Sequence, residues 1–330
     1  ATPSAATDAA APGGTPASTR TGYPVRITDC GGRVTTYAKA PRRVVTFDHA
    51  VAETLLSLGL GDRIVGLTTF EKPADRWPAT AAAMARLHRI NDGQGYPSKE
   101  VVFALRPDFV TGIYPSALET SDALPTRDEW ERLGVHAYLV HAGCDVSSTP
   151  TTDLADIYAD VRNLGVIFDV QDRAEALVQQ LQGRVADLQA RARAADLPPA
   201  TVWTYGGEKD AWAFDGSGLL NAIISLAGAR NIFGDSTKGY VEESFETIVE
   251  RDPSVIWLTT DAGFDYATAD QMKAHLASDG RTRGLSAVRR RSSTLSHPKI
   301  RAFGKKSRNP KSSSPTEQPN DRIERLSSAL

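Results

Sequence analysis

Residues 98–112, SKEVVFALRPDFVTG, and residues 244–258, SFETIVERDPSVIWL, are two copies of one pattern set 146 positions apart. Ser98 matches Ser244, Glu100 matches Glu246, Pro107 matches Pro253 and Val110 matches Ile256. Each copy reads as a short helix opened by a Ser N-cap, with the glutamate in its first turn, then a Pro-punctuated turn into a β-branched strand. A helix-turn-strand unit repeated once at this distance is too widely spaced for a solenoid and fits two similar α/β lobes. Each lobe then presents one glutamate at an equivalent place.

The rest of the chain alternates in the same way. Extended signals at VVTF (44–47), RIVGL (63–67), DFVTG (108–112) and HAYLV (136–140) are separated by helical ones, among them an amphipathic stretch with Val51, Leu55, Leu56 and Leu58 that ends at Gly59, and DEWERLG. That is the βαβ signature of a mainly parallel sheet. The most regular helix, QDRAEALVQQLQGRVADLQARARAADLPP, carries Ala174, Leu177, Val178, Leu181, Val185, Leu188 and Ala192 on one face and stops at Pro198 and Pro199. At about 1.5 Å per residue its roughly 25 residues span roughly 37 Å, enough to join two lobes. Beyond it TVWTYGG, the apolar helix LLNAIISLAG closed by Gly228, the second repeat copy and VIWLTTD restart the alternation.

The expected organisation is a flexible linker over 1–22, an N-terminal α/β lobe over 23–168, an interdomain helix over 169–197, a C-terminal α/β lobe over 198–288 and a basic, irregular segment over 289–330. The fold class is α/β, two similar lobes with mainly parallel central sheets, one long rigid helix between them and a ligand cleft at the lobe interface.

Charge and apolar runs narrow the partners. A net charge of -2 gives no general attraction for nucleic acid, and no run of about 18 apolar residues exists to span a membrane. Residues 289–330 carry 11 Lys and Arg against 3 Asp and Glu, read as a solvated tail before a nucleic-acid or lipid site. The N-terminal ATPSAATDAAAPGGTPASTRTG reads as a linker left after signal removal, of the kind that tethers a secreted lipoprotein, with an ordinary disordered terminus as the alternative. The expected location is therefore extracytoplasmic, with an N-terminal lipid anchor. Cys30 and Cys144 have no CxxC partner that would suggest zinc. In an exported chain they are expected to pair, closing a loop of roughly 100 residues for about 4 to 5 kcal/mol in the chain-entropy model; two unrelated buried thiols are the alternative.

In order, PRRVVTFDHAVAETLLSLGLGDRIVGL, SKEVVFALRPDFV, the linking helix, SLAGARNIFGD and SFETIVERDPSVIWL resemble the class III substrate-binding proteins of ABC importers, the group that binds ferric siderophores, haem and cobalamin. The resemblance covers about residues 23–288, and the DCGG and AGC segments resemble one actinobacterial-type branch of that group. It implies a monomeric receptor without an intrinsic cofactor that captures a metal chelate in its cleft and delivers it to a membrane permease dimer. In relatives the glutamates at the positions of Glu100 and Glu246 dock onto arginines of the two permease subunits. Two like-charged knobs related by a pseudo-two-fold match a two-fold partner; the bland alternative is that both are only good first-turn residues. The tail departs from the family, which closes with a strand and a packed helix after the segment matching GLSAV; SSTLSHP keeps a trace of that ending.

Residues at the carboxyl ends of the strands are expected to line the cleft: Phe47, Asp48 and His49, Thr69 and Phe70, Tyr114, His141, Tyr205, and Thr260 with Asp261. Trp212 and Tyr240, on loops of the second lobe, join them. This aromatic, weakly polar set suits a large ligand with a few orienting hydrogen bonds. A trianionic catecholate would recruit several arginines, and the sequence does not place such a set at the strand ends, so an Fe(III)-siderophore, of a less charged type such as a hydroxamate, is expected first. Haem or a corrinoid is the alternative, with Tyr114, Tyr205, His49 or His141 as axial ligand of haem. A bare zinc or manganese ion held by His49, His141 and an acid, and a metal-cofactor enzyme of similar build, are further alternatives. The enzyme reading lacks motifs: Gly216-Ser217-Gly218 is not a GxSxG elbow, and no P-loop, HExxH or early GxGxxG occurs.

Overall fold

The computed structural model describes residues 22–69, 78–91, 95–119, 123–141, 153–194, 199–206, 211–238, 240–258, 268–289 and 295–296. An antiparallel hairpin, β1 (Val25–Thr28) and β2 (Val34–Tyr37), precedes a four-stranded parallel sheet. Its strands are β3 (Val44–Thr46), β4 (Ile64–Leu67), β5 (Phe109–Gly112) and β6 (His136–Leu139), in the spatial order β4-β3-β5-β6. All β3 and β5 residues are buried, which is why they read as unbroken apolar or β-branched runs: helices cover both faces of the sheet.

One face, through Val44, Phe109 and Tyr138, packs on α1 (His49–Ser57) and on α6 (Leu154–Ile167). The other, through Val45, Val110 and Ala137, packs on α3 (Lys99–Ala104), α4 (Pro115–Leu118) and α5 (Arg127–Arg132). The short α2 (Pro78–Met84) lies between β4 and α3 in the chain. Gly59, with φ of +71°, ends the α1 segment as a left-handed position that side chains disfavour.

The linking helix is α7 (Gln171–Ala194), 24 residues or about 36 Å long. Its first turns bury Ala174 and Val178 in the core of the first sheet, and Leu188 near its end joins a core of the second. Helix α6 lies against its start closely: a Cβ on Gly165 would stand 2.4 Å from that of Ala174, so this glycine permits the contact.

The second sheet is six-stranded and mainly parallel. Strands β7 (Thr201–Gly206), β11 (Val255–Leu258) and β12 (Leu295–Ser296) run parallel, as does the short β9 (Arg230–Asn231) beside the start of β7. Strands β8 (Ala211–Phe214) and β10 (Tyr240–Glu243) extend it antiparallel. One face packs on α9 (Phe245–Arg251), α10 (Ala269–Ser278) and Ala287 of α11 (Ser286–Arg289), the other on α8 (Gly218–Leu226) and Leu188. The α/β build with a parallel sheet in each half matches the sequence expectation. Strand β12 lies in the SSTLSHP trace and completes the edge beside β11.

Three expectations change. Trp212 and Tyr240 belong to strands β8 and β10, not to loops, because these strands form their own antiparallel ladder, with Tyr240 opposite Phe214. Phe47 is fully buried: its N–H still bonds the Thr111 carbonyl at 2.8 Å, so it prolongs β3 and packs into the helical layer. Asp48 is 3 % exposed and accepts from the Ala50 N–H as the N-cap of α1, a structural duty.

Candidate functional site

The two repeat copies fold as the sequence predicts. Ser98 and Ser244 are the N-cap residues of α3 and α9, and Val102 and Ile248 turn inward and are fully buried. That anchoring leaves Glu100 and Glu246 exposed on the outer face. The two caps differ: Ser244 accepts from the Thr247 N–H at 3.2 Å, whereas the Ser98 side chain makes no such cap.

The electrostatics repeat as well. Each glutamate is held below the usual carboxylate range by its own backbone N–H and then by the serine hydroxyl two residues before it, with a weaker pull from Lys99 on Glu100 and from Arg281 on Glu246. Arg281 is engaged by Asp279 at 2.6 Å and lies over the Phe245 ring at 4.3 Å. Neither glutamate forms a salt bridge among the described residues, so each offers a full negative charge to solvent.

A second set of side chains gathers at one edge of the first sheet. Because its strands are parallel, His49 after β3, Thr69 after β4, Tyr114 after β5 and His141 after β6 all lie beyond carboxyl ends. The chain leaves β3 to one side for β4 and returns on the other for β5. The reversal therefore falls between β3 and β5, where open α/β sheets form their crevice. His49 and Tyr114 follow these two strands, and Tyr114 is 43 % exposed. Thr69 is almost fully buried, its N–H bonded to Asn91 at 3.1 Å.

His141 is the most constrained of them. Its Nδ1 lies 2.7 Å from an oxygen of the buried Asp160, and its backbone N–H donates to the other oxygen at 2.9 Å. Tyr138 donates to the same carboxylate at 2.6 Å, and Asn163 donates to the Tyr138 hydroxyl at 3.0 Å. The Asp160 bond raises the His141 pKa against the opposing effect of burial. A neutral ring held this way keeps its proton on Nδ1 and its acceptor lone pair on Nε2. Asp160 lies on α6, a helix the sequence reading passed over; the capping box Asp153-x-x-Asp156 was its available signal.

The hairpin loop lies by the same edge. Asp29 ion-pairs with Arg127, which also pairs with Glu119, and Arg33 reaches Asp128 at 2.5 Å. The sulfur of Cys30 stands 3.4 Å from the Val140 carbonyl oxygen, beside the carboxyl end of β6. Phe70, Cys144, Thr260 and Asp261 lie outside the described residues. Tyr205, Trp212 and Tyr240 are placed by backbone, in β7, β8 and β10. Trp203 is fully buried in the second core, so it is a packing residue. Among the described residues no three His, Cys, Asp or Glu side chains come together to hold a metal ion.

Known proteins similar to this chain are numerous. An ABC transporter substrate-binding lipoprotein of Bacillus subtilis, YvrC, itself uncharacterized, is 24% identical over 72% of this chain and 70% of its own length. A vitamin B12-binding protein of Yersinia pestis is 26% identical over 66% of this chain and 70% of its own. Among solved structures, an ABC-type Fe3+-hydroxamate transport system protein from Saccharomonospora viridis superposes with a TM-score of 0.66 at 25% identity, covering 83% of this chain and 91% of that one. The periplasmic haem-binding protein RhuT from Roseiflexus gives 0.57 at 21% identity over 77% and 88%. The periplasmic binding protein family model matches residues 44–292, from β3 to beyond α11 and through both repeat copies. Two lobes, each opening a helix with an exposed glutamate, are thus the halves of a single known design, and the chain belongs to the periplasmic binding protein family.

Proposed function

We propose that the protein is an extracytoplasmic receptor that captures an Fe(III)-siderophore in the cleft between its two lobes and delivers it to the permease dimer of an ABC importer, without catalysing a reaction. The observation that carries this reading is the matched pair Glu100 and Glu246, exposed at the same position of the same unit in each half. One such glutamate is an ordinary first-turn residue worth about 0.3 to 1 kcal/mol to its helix. Two at repeat-equivalent positions form a two-fold acidic pattern suited to a two-fold basic partner.

His49, Tyr114 and His141, with Phe70, Tyr205, Trp212 and Tyr240, are the proposed cargo contacts. Among the described residues, the strand ends of the first sheet offer no free guanidinium: Arg89 approaches, but it donates to the Thr69 carbonyl at 2.8 Å and to Asn91 at 3.3 Å. That favours a chelate of low charge, such as a ferric hydroxamate, over a trianionic catecholate. Haem is the second reading, favoured by the way Asp160 orients His141 as an axial ligand would be oriented. Fluorescence quenching titrations with ferric hydroxamates, ferric catecholates, haem, cobalamin and free zinc or manganese separate these readings. Saturation by a ferric hydroxamate at micromolar concentration or below is expected; saturation by haem, cobalamin or a bare metal alone overturns the siderophore assignment.

We also propose the Cys30–Cys144 disulfide, which would tie the hairpin loop to the chain just beyond β6 and stiffen that side of the crevice. Thiol titration of the unfolded, unreduced protein is expected to find no reactive thiol. Two reactive thiols per chain would end the idea.

A further inference from the structure

The two helices that carry the paired glutamates also carry exposed apolar side chains. Six large hydrophobic side chains stand out to solvent among the described residues, and three of them, Val101, Phe103 and Val249, lie on α3 and α9, helices of 6 and 7 residues. Phe103 and Val249 are repeat-equivalent, the same 146 positions apart as the two glutamates. Each follows its glutamate by three residues, so Glu100 with Phe103 and Glu246 with Val249 share one helix face. Phe103 is 37 % and Val249 42 % exposed, while their neighbours Val102 and Ile248 hold the helices to the cores. The Phe103 ring stands edge-on to the buried Trp130 at 5.3 Å, which supports it while leaving part of it uncovered.

Scattered exposed hydrophobics need no explanation. A pair at equivalent positions of a repeat, each beside the exposed carboxylate of its own helix, does. We infer that each lobe carries a two-part contact, a glutamate and an apolar side chain one turn later, and that the permease presents a basic residue beside a small apolar pocket on each of its two halves. The inference rests on the docking reading above and deepens it. Charge orients and speeds the encounter, and apolar burial in the rim of the contact then slows release. The first lobe offers the larger apolar group, so the two halves of the contact are unequal and the receptor has a preferred orientation on its partner.

The test uses fluorescently labelled protein titrated onto right-side-out membrane vesicles of the producing cells, with saturable binding read at low and high salt. Phe103→Ala with Val249→Ala is expected to weaken binding about tenfold, equally at both salt concentrations, as loss of apolar burial does. Glu100→Ala with Glu246→Ala is expected to weaken it in a manner that shrinks as salt rises. Phe103→Leu with Val249→Ile keeps apolar groups at both places and retains binding within about threefold, and Val249→Ala alone leaves the Trp130 packing untouched. If the glutamate pair matters and the alanine pair at 103 and 249 binds like the wild type, the apolar half is wrong and the docking reading stands. If the glutamate pair also binds like the wild type, or binding never saturates, the docking reading itself falls.

Discussion

Replacing Glu100 and Glu246 together by alanine is expected to reduce cargo uptake by about a hundredfold or more while leaving cargo affinity within about twofold of the wild type. Both side chains are exposed and lie at the starts of α3 and α9, whereas the proposed cargo contacts His49, Tyr114 and His141 lie beyond the carboxyl ends of strands in the first sheet. Removing one partner of a close charge pair at an interface costs about 2 to 5 kcal/mol, and two such losses compound. Each carboxyl is already held below its usual range by its own backbone N–H and the preceding serine, so the pair stays ionised throughout the neutral range. Uptake should accordingly show no titration step from these groups between about pH 6 and 8. Each single variant is expected to keep measurable uptake, since one lobe remains docked, and Glu100→Lys with Glu246→Lys is expected to do worse than the alanine pair. Normal uptake by the double alanine variant, measured with a cargo whose affinity is confirmed unchanged, would remove docking as the role of the repeat.

Most of the first sheet is legible in the sequence because parallel strands covered on both faces must be apolar throughout, and VVT, IVGL and FVTG have no other comfortable place. The linking helix is legible for a different reason: Ala174, Val178, Val185, Leu188 and Ala192 recur at helical spacing over 24 residues, far beyond what chance alternation sustains. Helix α6 escapes because it ends only three residues before α7, with Asp169 left-handed at φ of +59° in a break that has no glycine or proline to mark it. The site is legible where function needs exposure and poorly legible where it shares a strand with the core. Glu100 and Glu246 show themselves by repetition. Phe47, aromatic and at the end of a strand, looks like a cleft residue in sequence. The sheet buries it because β3 is an inner strand with helices on both sides. The cargo leaves still less trace, since a crevice at a chain reversal is a property of strand order, and many ligands fit such a place.

Asp160→Ala is expected to destabilise the protein by about 2 to 4 kcal/mol, the range for losing a buried, fully engaged carboxylate. Asp160 is 5 % exposed and accepts from the Tyr138 hydroxyl, the His141 backbone and the His141 ring; without it the Tyr138 hydroxyl keeps only Asn163. The loss should depend on pH in a direction that follows from the histidine. Its pKa is raised in the folded protein, first by the Asp160 bond, with Asp156 and Asp29 adding smaller pulls in the same sense. A raised histidine contributes stability that is fully present below its unfolded value of about 6.5 and fades as pH rises through the folded value. The wild type should therefore gain on Asp160→Asn, which keeps the shape and removes the charge, when the pH is lowered from about 8.5 to 5.5. Urea unfolding at these two pH values measures the difference, and the His141 ring proton shifts measure the pKa directly, which should fall toward the ordinary value in the asparagine variant. The alanine variant connects stability to function: with the Asp160 partner of Nδ1 gone, the ring at the carboxyl end of β6 loses its fixed orientation, and affinity for a cargo that touches it should drop about tenfold, whereas the asparagine oxygen still accepts from Nδ1. Equal stability of wild type and Asp160→Ala at both pH values would show that the carboxylate holds neither the strand end nor the ring.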